Sequence, residues 1–189
     1  FLIYNLVIFP MMAGILIVND DFVQFFLGQD FQDARYAIAI MIFRMFFIGW
    51  TNIMGIQILI PHNRNKEFMI STTAPAIISV GLNLLFLPKL GYIGAAIVSV
   101  LTEALVWAIQ LYFTRRYLKE VPIIGSMTKI ILASAIMYGI LLGSKTVIHF
   151  SPTLNVLVFA VLGGIIYLFA ILSLKVVDVK ELKQIIGKK

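Results

Sequence analysis

Six uninterrupted apolar segments, each close to 20 residues long, dominate this sequence. They cover residues 1–18, 36–60, 68–87, 92–113, 123–142 and 156–174. A helix of about 20 apolar residues crosses the hydrocarbon core of a bilayer, whereas a strand of a membrane barrel has about 10 residues of alternating polarity. Charged residues make up 13% of the chain, which is about half of their share in a soluble domain. The sequence therefore predicts an all-α membrane protein with about six antiparallel transmembrane helices.

Short connections separate the apolar segments, and Pro88 to Gly91 is predicted to be a tight turn because both residue types break a helix. We predict a six-helix bundle over residues 1–175 and a basic tail over 176–189. The chain has no cysteine, which excludes disulfides and thiolate metal sites. Motifs for phosphate loops and catalytic nucleophiles are also missing from the sequence. We expect no enzyme activity, no cofactor and no metal.

The basic residues indicate the orientation of the helices. The chain carries a net charge of +6, and its basic residues concentrate at the ends of the apolar segments, so we expect a lipid bilayer and not a nucleic acid as the partner. On alternate sides of the predicted bundle, one set of connections and ends holds ten Lys and Arg residues and the other holds three. The positive-inside rule puts the richer side, with both ends of the chain, in the cytoplasm.

Two ionisable residues, Arg44 and Glu103, lie deep inside predicted helices. At 1.5 Å per residue they lie about 12 and 16 Å below the outer surface, so they share a level near the middle of the membrane. A charged residue there costs at least about 2.5–3.5 kcal/mol. Either Arg44 binds an anionic group of a substrate while Glu103 sets its charge state or couples protons, or the two form a buried ion pair that fixes helix packing.

Other polar residues recur at helical spacing near these two charges, so that three neighbouring helices present polar faces. These faces predict one polar cavity, although hydrogen bonds between packed helices are the alternative interpretation. The candidate cavity and substrate-binding residues are Arg44, Glu103, Asn52, Gln57, Asn83 and Gln110.

Four stretches resemble a known family. They are Leu27-Gly28-x-x-Phe31-x-x-Ala34, Gly55-x-Gln57-x-x-Ile60-Pro61, Leu82-Asn83-x-x-x-x-Pro88-Lys89-x-Gly91-x-x-Gly94-Ala95-Ala96, and Leu101-Thr102-Glu103. Together they look like the C-terminal half of bacterial polysaccharide (Wzx-type) flippases, in the superfamily that also contains multidrug and oligosaccharidyl-lipid exporters. The resemblance covers residues 27–118 and departs from the family at Ser79, where relatives often have Asn.

The resemblance implies two helical lobes around a central cavity that opens alternately to each side of the bacterial plasma membrane. The substrate would be an oligosaccharide repeat unit linked to undecaprenyl pyrophosphate, which is used for capsule, exopolysaccharide or O-antigen synthesis. Arg44 would hold the pyrophosphate or acidic sugars, and Glu103 matches an acidic position of the family. We expect this chain to be the C-terminal lobe, with the N-terminal lobe of the same protein as its partner.

The sequence is also compatible with three other functions. A drug or metabolite efflux transporter of the same superfamily would have a smaller and less basic cavity. A membrane-embedded polysaccharide polymerase or acyltransferase would need a base or nucleophile, often in a long external loop. The longest predicted connection, residues 19–35, contains aspartates but no histidine. A membrane scaffold without transport activity is the third alternative.

Overall fold

The computed structural model describes residues 1–118, 123–146, 150–174 and 176. Within them lie five α-helices, which are α1 (Leu2–Phe26), α2 (Ala34–Asn52), α3 (Asn65–Leu118), α4 (Ile123–Lys145) and α5 (Pro152–Ser173). All five are long and apolar enough to cross a membrane. The prediction of an all-α membrane protein is therefore confirmed.

Helix α3 is a hairpin of two helical arms, residues 65–90 and 92–118. Between them Gly91 has φ 56° and ψ −137°, a conformation that essentially only glycine adopts. In a straight helix Ser71 and Gln110 would be about 58 Å apart. Their side chains instead form a hydrogen bond of 3.2 Å, so the chain reverses at Gly91. The predicted turn is confirmed, and counting the arms separately gives six α-helical segments in the described part of the chain.

Helix α2 continues directly into a π-helix, Ile53–Leu59. Its i→i+5 pattern appears in the bond from the Ile60 amide to the Gly55 carbonyl, at 3.1 Å. A Cβ added at Gly55 would lie 2.7 Å from the ring of Phe68 and 3.0 Å from Nε2 of Gln110. Glycine at this position therefore lets the π-helix pack closely against both arms of α3.

The chain divides into two compact units. The first consists of Phe1 and Phe26–Pro122 and contains α2, the π-helix and α3. The second consists of Leu2–Phe25 and Ile123–Lys189, so it combines α1 with α4 and α5. The core of the second unit is apolar and comprises Ile17, Val18, Ala133, Met137, Leu141, Phe159, Tyr167, Ala170 and Ile171. The single bundle over residues 1–175 stays a prediction, and the basic tail lies outside the described residues except for Val176.

Helix α1 extends eight residues beyond its predicted end at Val18. The extension contains Asp21. Its side chain is only 14% exposed, and it lies 3.2 Å from the ammonium of Lys145. Its carboxylate also accepts a 2.9 Å hydrogen bond from the amide of Asn155. These partners come from the ends of α4 and α5 and allow the helix to continue through a polar residue.

Candidate functional site

Arg44 and Glu103 form an ion pair between α2 and the second arm of α3. Nη2 of Arg44 donates to Oε1 of Glu103 at 3.0 Å, and Nε approaches the same oxygen at 3.4 Å. The Arg44 side chain is 37% exposed and that of Glu103 is 19% exposed. Pairing offsets the cost of placing each charge among apolar helices, and the partial exposure leaves both groups accessible from one side.

The pair lies in a cavity of about 450 Å³ within the first unit. All three helical segments that were expected to carry polar faces contribute to it. Its polar lining consists of Arg44, Thr51, Asn52, Thr72, Thr102, Glu103 and Gln110. Four of the six candidate residues therefore meet in one cavity, which has the size of a typical small-molecule site.

The other two candidates, Gln57 and Asn83, do not line this cavity. Gln57 lies exposed on the π-helix, which has more residues per turn than an α-helix and therefore changes the angular spacing of its side chains. The amide of Asn83 donates to the carbonyl of Ser79, one turn earlier in the same helix, at 2.9 Å. Four of the six candidates therefore share one cavity, and these two lie outside its lining.

Most hydroxyl and amide donors of the lining bond to carbonyls of their own helix. Thr51 donates to the Ile48 carbonyl at 2.9 Å, and Asn52 donates to the same oxygen at 2.9 Å. Thr102 donates to the carbonyl of Val98 at 2.7 Å. Such bonds leave the oxygen atoms of these side chains available as acceptors.

Gln110, which lines this cavity, forms a buried polar contact with Ser71. They are 1% and 0% exposed, and Gln110 donates to the Ser71 hydroxyl across the two arms of α3. Ser71 is not one of the candidate residues that the sequence pattern indicated. Its position next to Thr72 marks a polar pair in the first arm. Helical spacing alone does not indicate that Ser71 faces the second arm.

Arg64 contacts both arms of α3 at the ends that lie far from the Gly91 turn. It donates to the Phe113 carbonyl at 2.8 Å and pairs with Glu67 at 2.9 Å. The hydrogen bond from Arg64 to Glu67 raises the pKa of the Arg64 guanidinium above its ordinary value. Arg64 therefore stays charged, and its guanidinium binds one carbonyl near the C-terminal end of the second arm.

Among the described residues, no cluster of three His, Asp or Glu side chains is arranged to hold a metal ion. The charged groups of the cavity are one guanidinium and one carboxylate. Together with the Thr, Asn and Gln groups they can exchange hydrogen bonds with a polar ligand inside an apolar helical unit.

A comparison with curated proteins finds a relative that is similar to about half of this chain. The chain is 33% identical over 89 residues to a protein of Escherichia coli (strain K12) named "Putative O-antigen transporter". The match covers 47% of this chain and 21% of the relative, so the chain spans about a fifth of that protein's length. No model of a protein family matches the sequence, and no solved structure matches it. The long apolar helices support a multi-pass membrane protein.

Proposed function

We propose that this chain is part of a flippase that carries lipid-linked oligosaccharide repeat units across the bacterial plasma membrane. The observation that carries the proposal is the cavity with the Arg44–Glu103 pair, set among helices long enough to span a bilayer. The relative named as an O-antigen transporter supports the substrate class. In this proposal the chain forms one lobe, the rest of the protein forms the other, and both ends of the chain lie in the cytoplasm.

The cavity addresses the main energetic barrier to flipping, which is moving a sugar through hydrocarbon. Each hydroxyl group that loses its hydrogen bonds to water in an apolar medium costs several kcal/mol. A lining that supplies carboxylate, guanidinium, hydroxyl and amide groups replaces those bonds. The lipid tail of the substrate stays in the bilayer while the sugar passes through the polar interior.

The test is complementation of a bacterial strain that lacks its O-antigen transporter, using the complete protein encoded by the gene. Wild type is expected to restore O-antigen at the cell surface. Arg44→Gln and Glu103→Gln are each expected to lower that signal about tenfold or more, because each leaves an uncompensated charge in the cavity. The swapped pair, Arg44→Glu with Glu103→Arg, is expected to regain part of the activity.

Lys89→Gln is the matched control, since it removes an exposed basic residue from the turn region of α3. Surface O-antigen and membrane protein level are measured together. Full O-antigen export by Arg44→Gln at normal protein level would refute the role of the pair. Drug resistance in place of O-antigen export would favour the efflux alternative.

A further inference from the structure

The two arms of α3 carry a group of basic side chains at the ends that lie far from the Gly91 turn. The group consists of Arg64, Lys66, Arg115 and Arg116. Two contacts bring these ends together. Arg64 donates to the Phe113 carbonyl at 2.8 Å, and the ring centroids of His62 and Tyr117 lie 4.3 Å apart. We call this surface the basic end of the hairpin.

The basic end has an excess of positive charge. Glu67 is the one carboxylate among the described residues within three positions of the group, and it is paired with Arg64 at 2.9 Å. The other three basic side chains are exposed, and none of them forms an ion pair with a residue that the structure describes. The next residues in the sequence, Lys119 and Glu120, carry opposite charges and lie outside the described residues. Three positive charges are therefore available for a partner.

Aromatic side chains accompany the basic residues. The Arg115 guanidinium lies over the ring of Tyr112, 4.6 Å from its centroid. Stacking of this kind restrains a guanidinium while its N–H groups, which lie in the guanidinium plane, remain available for hydrogen-bond acceptors. Tyrosine is also enriched where membrane helices meet the lipid headgroups. The basic end therefore combines restrained donors with a residue type that is typical of the membrane interface.

An apolar surface continues from the basic end along the first arm. Ile70, Ile77 and Leu84 are exposed and share one helical face with Lys66, since their positions differ by nearly whole turns. Exposed apolar patches of this kind are typical of surfaces that contact a membrane. The ammonium group of Lys66 belongs to one end of that face. A ligand that has hydrocarbon chains and an anionic head would therefore match both surfaces.

The chemistry of the two surfaces distinguishes among the phosphate groups that could occupy the basic end. A free phosphate supplies negative charge but has no chain for the apolar face. A zwitterionic phospholipid supplies the chains, but its own ammonium group offsets the charge of its phosphate. An anionic phospholipid has both the chains and an uncompensated phosphate. Guanidinium groups bind phosphate oxygens in a bidentate manner, and basic clusters beside membrane helices attract anionic lipids.

We propose that the basic end of the hairpin binds an anionic phospholipid. The phosphate lies between Lys66 of the first arm and Arg115 and Arg116 of the second, and the acyl chains follow the exposed face of the first arm. Arg64 positions this surface, because it contacts both arms and neutralises Glu67. In the predicted orientation the basic end meets the cytoplasmic leaflet. The inference depends on the membrane setting of α3 and not on the flippase function.

The experiment is native mass spectrometry of the complete protein in detergent, with equal amounts of phosphatidylglycerol and phosphatidylcholine that have the same acyl chains. Phosphatidylglycerol is the anionic probe and phosphatidylcholine is the zwitterionic one. The measured quantity is the ratio of the two lipids in the complex that holds one lipid. Wild type is expected to favour phosphatidylglycerol at least about tenfold, since each Lys or Arg near an anionic group contributes about fivefold.

Lys66→Gln removes one of the three charges and is expected to lower this ratio about fivefold. Lys89→Gln is the matched control, because Lys89 is an exposed lysine of the same arm beside the Gly91 turn. It is expected to leave the ratio unchanged. The double variant Arg115→Gln/Arg116→Gln tests the second arm independently and is expected to lower the ratio about tenfold or more. All of these variants change exposed side chains, so the fold is retained.

Equal binding of the two lipids by wild type would overturn the proposal, as would unchanged ratios in both site variants. An equal loss in Lys66→Gln and Lys89→Gln would also overturn it, because the effect would then come from net charge alone. Displacement of phosphatidylglycerol by an equal concentration of inorganic pyrophosphate would assign the surface to a free phosphate group and refute the lipid as its ligand. A protein that restores O-antigen export without this lipid preference keeps the flippase function and loses the inference. The converse result removes the flippase function alone.

Discussion

Gly94 provides a sharp test of how closely the two arms of α3 approach each other. A Cβ built on Gly94 would lie 2.7 Å from the carbonyl oxygen of Phe86 and 3.1 Å from Cβ of Leu90. The nearest atom belongs to the backbone, so it cannot rotate away as the end of a side chain would. In Gly94→Ala the arms therefore have to separate near the turn.

The expected magnitude follows from two opposing terms. Overpacking lowers the free energy of unfolding by about 1–3 kcal/mol. We expect a value near about 3 kcal/mol here, because the backbone has to move. Alanine gains about 1 kcal/mol over glycine in helix propensity, so the net destabilisation is about 2 kcal/mol. Gly81→Ala is the matched control in the first arm, where an added Cβ has no other atom within 4 Å. That variant is expected to gain about 1 kcal/mol, which makes the two variants differ by about 3 kcal/mol.

Thermal unfolding of the two purified variants measures this difference. For a chain of this length 1 kcal/mol corresponds to about 2–4 °C, so Gly94→Ala is expected to unfold about 6–12 °C below Gly81→Ala. The reasoning assumes that the close approach at Gly94 exists in the folded protein. A Gly94→Ala variant that unfolds at or above the temperature of Gly81→Ala would refute it.

Two further predictions concern the second unit, and unfolding temperature measures both. Asp21→Asn removes the carboxylate that holds the Lys145 ammonium at 3.2 Å and is expected to cost about 1–2 kcal/mol, because part of the pair is exposed. The double variant Asp21→Asn/Lys145→Met is expected to be less destabilised than the sum of the two single variants. A double variant whose loss equals that sum would contradict the pairing. Tyr167→Phe removes a 2.7 Å hydrogen bond to a carbonyl of α1 and is expected to cost about 1 kcal/mol. Tyr138 is exposed, so Tyr138→Phe serves as the control. Equal unfolding temperatures for Tyr167→Phe and Tyr138→Phe would count against the hydrogen bond of Tyr167.

Local features of the sequence were sufficient to predict the helices and the reversal at Gly91. Long apolar segments require helices in a bilayer, because only a helix satisfies its own backbone hydrogen bonds there. Glycine and proline interrupt such helices for steric reasons that act within a few residues. The depth of Arg44 and Glu103 in the membrane, which rests on counting residues along their helices, stays a prediction.

Other features depend on partners that are distant in the chain. The pairing of Arg44 with Glu103 and the burial of Asp21 against Lys145 connect residues on different helices. Helical spacing indicates which residues share a face, but not which neighbour that face meets. The grouping of α1 with α4 and α5 was therefore beyond the reach of the sequence pattern.

The cavity likewise depends partly on local sequence and partly on tertiary packing. The sequence by itself determined that polar residues lie along three helical segments, since a helix places every third or fourth residue on one side. Only the tertiary structure decided that Gln110 faces the cavity while Gln57 and Asn83 do not. The physical reason is that the rotation of each helix about its axis is set by packing against the others, and here the π-helix and the hairpin of α3 change that rotation.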